Sequence, residues 1–280
     1  MKLVLAVLAT KLEPWDETIQ SHQKPAFLGQ KTPDSAPYWL YATGARGSHG
    51  KQFDLQDARL LRDRYNDYLH RIFGFRAVRR NPNKSSKAFG KLLDELYTGS
   101  KIQSEDFCCS IPDGLSTLGF RTLAFMEYLL DHDDFEFMFR TNTSSFVHFN
   151  RLLELVDRMP TGSPIYGGFP VRMGNLYFAS GAGILLNRRA VELLMKSRRS
   201  YDFSYLDDQA VGLQMRRLHG VPITPLSRAT FTQKVSSRGP LEILEGERID
   251  RPDLFHWRCK SDDPKVERER IDYLARLFSS

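Results

Sequence analysis

The sequence predicts an α/β fold, a sheet of buried strands covered by helices on both sides. Three observations predict it. Short runs such as KLVLAVLA at 2–9 and YWLYA at 38–42 have the length and unbroken apolar or aromatic character of strands buried on both faces. Longer segments between such runs carry apolar residues at helical spacing. The two kinds alternate, and no linker divides the chain, so one sheet with covering helices is the simplest arrangement.

Taken in order, the strand 2–9 ends at Thr10 and a polar, proline-containing segment leads to the strand 38–42, closed by Thr43 and Gly44. Leu55, Ala58, Leu61, Tyr65, Tyr68, Leu69 and Ile72 mark a helix over 55–73 that Gly74 stops. A basic, turn-rich stretch at 76–90 and a short helix near 88–97 precede the strand EDFCCSI at 105–111, which Pro112, Asp113 and Gly114 break. Next come a helix at about 116–131, a strand at 135–140, and a helix at 146–158 with Phe149, Leu152, Leu153 and Val156 on one face. The second half holds the glycine-bearing stretch YFASGAGILL and a helix at about 188–198. A helix at about 208–218 shows Val211, Met215 and Leu218 as its apolar face and Gly220 as its stop, and a charged helix at 264–278 ends the chain.

With 280 residues, 41% hydrophobic and 26% charged, the chain has a globular composition, which excludes a disordered or fibrous protein. The opening MKLVLAVLAT is too short an apolar run for a membrane span and lacks a signal peptide's cleavage region, so it reads as the first strand. Cys108, Cys109 and Cys259 offer neither metal-ligand spacing nor a disulfide framework, which fits a reducing cytoplasm. The net charge of +6 is spread among interleaved acids. That pattern argues against a nucleic-acid face and leaves room for a phosphorylated small molecule.

Ligands of open α/β sheets bind beyond the carboxyl ends of the strands, so Thr10, Thr43, Asp113 and the turn at 140–145 are expected to share one crevice. Arg140, ending a buried strand, requires an anionic or hydrogen-bonding partner. Ser144 or Ser145 reads equally well as the cap of the following helix. Asp207 and Asp208 open the helix at 208–218; Asp207 reads as a cap or dipole-stabilised acid, and Asp208 as a rigidly held carboxylate suited to general-base work. His256, Arg258 and Lys260 alternate, so in an extended segment they share a face that either lines a diphosphate or forms a solvated edge strand, with Phe255 and Trp257 turned to the core. Gly181 and Gly183 indicate close approach by a ligand or a tight bend.

In their order, these pieces resemble the fringe and β-1,3-galactosyltransferase family of inverting glycosyltransferases. SIPDGLSTLGFRTLAFMEYLL at 110–130 resembles the family's strand, aspartate turn and long helix, with Arg121 where a Lys is usual. FEFMFRTNTSSFV resembles its strand ending in an acidic triplet, YFASGAGILLNRRAVELL its acceptor-side segment, and LDDQAVG its acidic pair before a glycine. The match covers about residues 105–220. One departure stands out: the triplet reads Asn142, Thr143, Ser144, without the carboxylates that hold Mn²⁺ or Mg²⁺ in the family, and an amide with two hydroxyls is a poor ligand set for a hard cation.

The resemblance implies a GT-A, Rossmann-like mixed sheet sandwiched by helices in a single domain over 1–280, with a nucleotide-binding half at 1–158 and an acceptor-side half at 159–280. It implies transfer of a hexose or pentose from a nucleoside diphosphate sugar, of the UDP type, to a glycan hydroxyl, with inversion and with Asp208 as the base. Donor contacts are expected from Thr10, Thr43, Asp113, Arg121, Arg140, Asn142, Ser144, His256, Arg258 and Lys260, and acceptor-side positions are Gly181, Gly183 and Asp207. His256 falls near the family's C-terminal metal-ligand histidine, yet the missing carboxylates favour a metal-independent reaction with no cofactor besides the co-substrate. The expected protein is soluble and cytoplasmic, with no membrane span and no nucleic-acid partner. A catalytically silent sugar-nucleotide or glycan-binding domain is the alternative. A metal-dependent phosphohydrolase built on Asp207 and Asp208 is weaker, since the further His and Asp clusters of a two-metal site are missing.

Overall fold

The computed structural model describes residues 1–42, 101–109, 113–114, 118–174, 176–202, 205–231, 251 and 253–278. Thr43, the helices expected at 55–73 and 88–97, and the basic stretch between them lie outside the described residues.

The central strand is β1 (Leu3–Leu8), all six residues buried, as its unbroken apolar run requires. It pairs in parallel with β2 (Ser35–Ala42) on one side and β5 (Phe137–Asn142) on the other. Beyond β2 lie β4 (Asp106–Cys109), parallel to it, and β3 (Lys101–Gln103), a hairpin partner of β4. Beyond β5 the sheet turns antiparallel: β8 (Leu176–Asn187) pairs with β5, β7 (Tyr166–Met173) with β8, and the short β9 (Ile223–Pro225) runs parallel to β7. The eight strands stand in the order β3-β4-β2-β1-β5-β8-β7-β9. This mixed sheet covered by helices is the α/β class the sequence predicts.

Alternation along β1 divides the core in two. Val4, Ala6 and Leu8 face the layer built on α3 (Leu118–His132), α5 (Arg188–Lys196) and α6 (Asp207–Leu213). Leu3, Leu5 and Val7 face α4 (Phe149–Asp157), α7 (Pro264–Phe278) and a second, three-stranded sheet. That sheet consists of β10 (Ala229–Thr230), β11 (His256–Arg258) and β6 (Ser145–Val147), with β11 in the middle.

Several expectations change. The polar segment after β1 is helical: α1 (Trp15–Thr18), a wide turn at Ile19–Gln23 and α2 (Lys24–Leu28) supply the crossover that parallel β1 and β2 demand. The helix expected from 146 begins at Phe149, because Phe146 and Val147 pair with β11. His148, not Ser144 or Ser145, caps it, its Nδ1 accepting the Arg151 N–H at 3.3 Å. YFASGAGILL is continuous strand, with Gly181 and Gly183 inside β8 rather than at a bend. Helix α6 widens over Gln214–Leu218, where His219 N–H reaches back to the Gln214 carbonyl, and this rotation leaves Leu218 52% exposed instead of in the core. Gly220 ends the segment at φ +66°, a conformation that glycine adopts without strain.

Candidate active site

Beyond the carboxyl end of β1, Thr10 Oγ1 donates to Asp113 Oδ2 and accepts the Leu12 N–H at 3.1 Å. Arg121 reaches this point from α3, fully buried, donating to the carbonyls of Ala9 and Leu40 and to Asp113 Oδ1 at 3.2 Å. Burial pushes the Arg121 pKa down, and Asp113 pulls it back up. Of the crevice expected from Thr10, Thr43, Asp113 and the turn at 140–145, Thr10 and Asp113 meet here, Thr43 lies outside the described residues, and Arg121 joins the pair from α3. Arg121 itself staples the ends of β1 and β2 from inside, and only Thr10 and Asp113 reach partly exposed positions.

The turn after β5 is fastened inward. Gln23, completely buried, donates through Nε2 to the carbonyls of Asn142, Thr143 and Ser145 at 3.0, 3.2 and 3.0 Å. Thr141 Oγ1 donates to the Ala182 carbonyl at 2.6 Å, and Ser145 Oγ donates to Asn142 Oδ1 at 2.9 Å. Ser144 hydrogen-bonds Glu267 of α7, and its carbonyl accepts the Cys259 N–H at 2.7 Å. The triplet at 142–144 thus has its Asn142 oxygen occupied by Ser145, Thr143 buried and Ser144 turned to α7. Such a neutral, engaged donor set does not fit a hard cation. Among the described residues no cluster of three His, Cys, Asp or Glu side chains could hold a metal ion.

Helix α6 brings Asp207 and Asp208 to the middle of β8, and the two carboxylates have different surroundings. Asp207 is 4% exposed and pairs with Arg140, itself 1% exposed. Thr122 Oγ1 also donates to Asp207, at 3.4 Å. Burial drives the Arg140 pKa down and the Asp208 charge raises it. Arg140 also donates to the Gly181 carbonyl, while the Gly181 N–H donates to Asp208 Oδ2 at 2.8 Å. The buried arginine thus finds the anionic partner it requires within the fold. That engagement takes it away from the expected donor contact and takes Asp207 away from the acceptor side. Asp208 remains half-buried, its Oδ1 accepting the Gln209 N–H at 2.9 Å.

The glycines of β8 make room for site side chains. A Cβ on Gly181 would lie 2.7 Å from Asp208 Oδ2, and one on Gly183 would lie 2.6 Å from both His256 Cε1 and Phe139 Cζ. His256, 3% exposed, sets Nε2 3.3 Å from Ser145 Oγ. Because that hydroxyl already donates to Asn142, the network assigns the proton to His256 Nε2, leaving Nδ1 as a free acceptor. Burial, then Arg228 and Arg258, hold the His256 pKa well below the usual histidine range. Of the two readings of this alternating run, the solvated edge strand does not hold: β11 is the centre of the small sheet, and His256 is as buried as Phe255 and Trp257. Arg258 is half-buried and Lys260 is exposed beyond the strand.

Arg228 completes the group, and the sequence offered no pattern that singles it out. Its guanidinium donates to Ser180 Oγ at 2.7 Å and lies 4.3 Å from the Phe169 ring centre. Its pKa is pushed down to about 10 by burial and by neighbouring Arg258. Among the described residues no carboxylate pairs with Arg228 or Arg258. With Arg258 next to Arg228 and His256 beside both, the two guanidinium groups are a candidate anion site.

No family model and no curated protein matches the chain. Solved structures that share its outline include a galactosyltransferase, LgtC, in complex with donor and acceptor sugar analogues, at 10% identity and TM-score 0.45, covering 100% of this chain and 97% of that one. Others are a glycosyltransferase involved in glycosylation of the major capsid of PBCV-1 (7%, TM-score 0.42, 97% and 98% covered) and the glycosyltransferase GlyE of Streptococcus pneumoniae TIGR4 (11%, TM-score 0.41, 99% and 62% covered).

Proposed function

We propose that this chain is a glycosyltransferase of GT-A type that moves a sugar from a nucleoside diphosphate donor to a hydroxyl of a glycan acceptor, with inversion and without a metal ion. The observation that carries this reading is the placement of a carboxylate and two arginines around one short piece of β8. The Gly181 N–H holds Asp208, and the adjacent Ser180 hydroxyl holds Arg228, with Arg258 next to it. Asp208 removes the acceptor proton as the hydroxyl oxygen bonds to the anomeric carbon. The bond from that carbon to the diphosphate oxygen breaks on the opposite face, and its electron pair leaves with the diphosphate. Arg228 and Arg258 neutralise the charge that develops there, the task a metal ion performs where acidic ligands exist. Thr10 and Asp113 line the nucleoside end of the crevice, and a UDP-type donor is the one proposed.

Thermal denaturation with nucleotide sugars tests the proposal, since a ligand bound by the native state alone raises the melting temperature. A UDP-sugar is expected to stabilise the protein equally in EDTA and in Mn²⁺, and Arg228→Ala is expected to weaken UDP more than uridine. If no nucleotide sugar raises the melting temperature, the transferase reading falls. A shift that vanishes in EDTA and returns with Mn²⁺ would overturn the metal-free mechanism alone.

A further inference from the structure

Helix α6 and strand β8 run side by side, and three contacts in order along both set their alignment. Asp208 meets Gly181, Gly212 packs on Phe178, and Arg216 donates from Nη1 to the Tyr177 carbonyl at 3.0 Å. Asp208 and Arg216 are eight residues apart, about 12 Å by helical rise. Gly181 and Tyr177 are four apart, about 13 Å along a strand. The two routes agree, so the Tyr177 end of the ladder lies about 12 Å from the proposed reacting hydroxyl.

Two arginines meet at that end. Arg216 lies 5.8 Å from the Tyr177 ring centre and Arg172, the cross-strand partner of Tyr177 on β7, lies 5.4 Å from it. Each is oriented by one donation to a backbone carbonyl, Arg172 through Nε to Gly174 at 2.8 Å and Arg216 to Tyr177. Among the described residues neither pairs with a carboxylate. Tyr177 remains 45% exposed. Guanidinium groups oriented on an exposed aromatic ring, with N–H donors left over, suit a carboxylate or phosphate on a sugar.

We propose that Arg172, Tyr177 and Arg216 form a cradle for an acidic group carried by the acceptor saccharide, about 12 Å from the hydroxyl that Asp208 deprotonates. The acceptor is thereby an anionic glycan longer than one sugar. This inference rests on the transferase reading, which identifies Asp208 as the reacting end.

Calorimetric titration of the whole chain at physiological salt with trigalacturonate, a phosphorylated maltotriose and maltotriose tests it. At least one acidic trisaccharide is expected to bind about ten-fold or more tightly than maltotriose, the lower end of one charge-assisted contact, and which one does so identifies the group. The Arg172→Gln, Arg216→Gln double variant is expected to lose that preference while melting within about 2 °C of wild type, as surface substitutions do. Less than a two-fold preference in wild type, no binding of any trisaccharide, or a preference that survives in the variant overturns the cradle. So does a variant that keeps its saccharide preference but no longer sediments with phosphatidylglycerol vesicles, because the arginines would then serve a membrane surface. A wild-type nucleotide-sugar shift without acid preference removes the cradle and leaves the transferase reading. Absence of any nucleotide-sugar shift removes that reading and the acceptor assignment with it.

Discussion

Asp208 and Asp207 are neighbours in sequence and opposites in circumstance. The first sits half-buried on a backbone N–H of β8, and the second is sealed against Arg140. Asp208→Asn keeps the shape and removes the base, so sugar transfer is expected to fall about 10²- to 10⁴-fold with donor affinity within a few-fold of wild type. A variant keeping more than half the turnover would return the role to another group. His256 provides a pH-dependent counterpart. Its folded pKa is depressed by burial and by two arginines, so below the unfolded histidine value of about 6.5 the unfolded chain binds the extra proton. Stability from the neutral ring is therefore present above that pH and is lost as the pH falls through it. Between pH 7.5 and 5.5 the melting temperature of wild type is expected to drop more than that of His256→Gln; parallel curves would remove His256 as the cause. The sequence marked Asp208 and His256, because a carboxylate opening a helix and a histidine in an alternating run are local patterns. It could not mark Arg228, since an arginine becomes an anion ligand only through what surrounds it.

Among the elements, the best-read were those whose period is complete within themselves. β1 and α7 have the expected character and nearly the expected bounds, because an unbroken apolar run or a long amphipathic stretch needs no distant partner to define it. The start of α4 was misplaced because β6 exists only through β11, more than a hundred residues later. The crossover after β1 was legible and missed: Ile19, Gln23 and Phe27 are buried at every fourth position, but the middle one is polar, which disguises the stripe. Gln23 stays buried because three carbonyls of the β5–β6 turn converge on its amide. Gln23→Leu, similar in size but without donors, leaves those carbonyls unsatisfied at a cost of about 1–3 kcal/mol or more. Its melting temperature is expected to fall by several degrees. An unchanged melting curve would mean that water satisfies the turn and that the clasp is dispensable.

On the scale of the molecule, the proposed site joins segments that the chain keeps far apart: Asp208 on α6, Arg228 before β10 and Arg258 on β11. The sheet order follows from strands and crossovers, but their meeting depends on the small second sheet, for which no periodicity speaks. The central place of β11 in that sheet has a consequence for biosynthesis. β6 carries Phe146 and Val147, and its hydrogen-bonding partner leaves the ribosome about 110 residues later, roughly 5–22 s at ordinary elongation rates. Throughout that interval a short apolar edge and the aromatic face of Phe27, Phe146 and Phe149 have no cover from β11 and α7. A chain ending at residue 250 is therefore expected to collect in the insoluble fraction, and a truncated protein that stays monomeric would show that the main sheet folds without β11 and α7. Until β11 and α7 emerge, that apolar surface is expected to leave the nascent polypeptide open to aggregation, the hazard that chaperones counter.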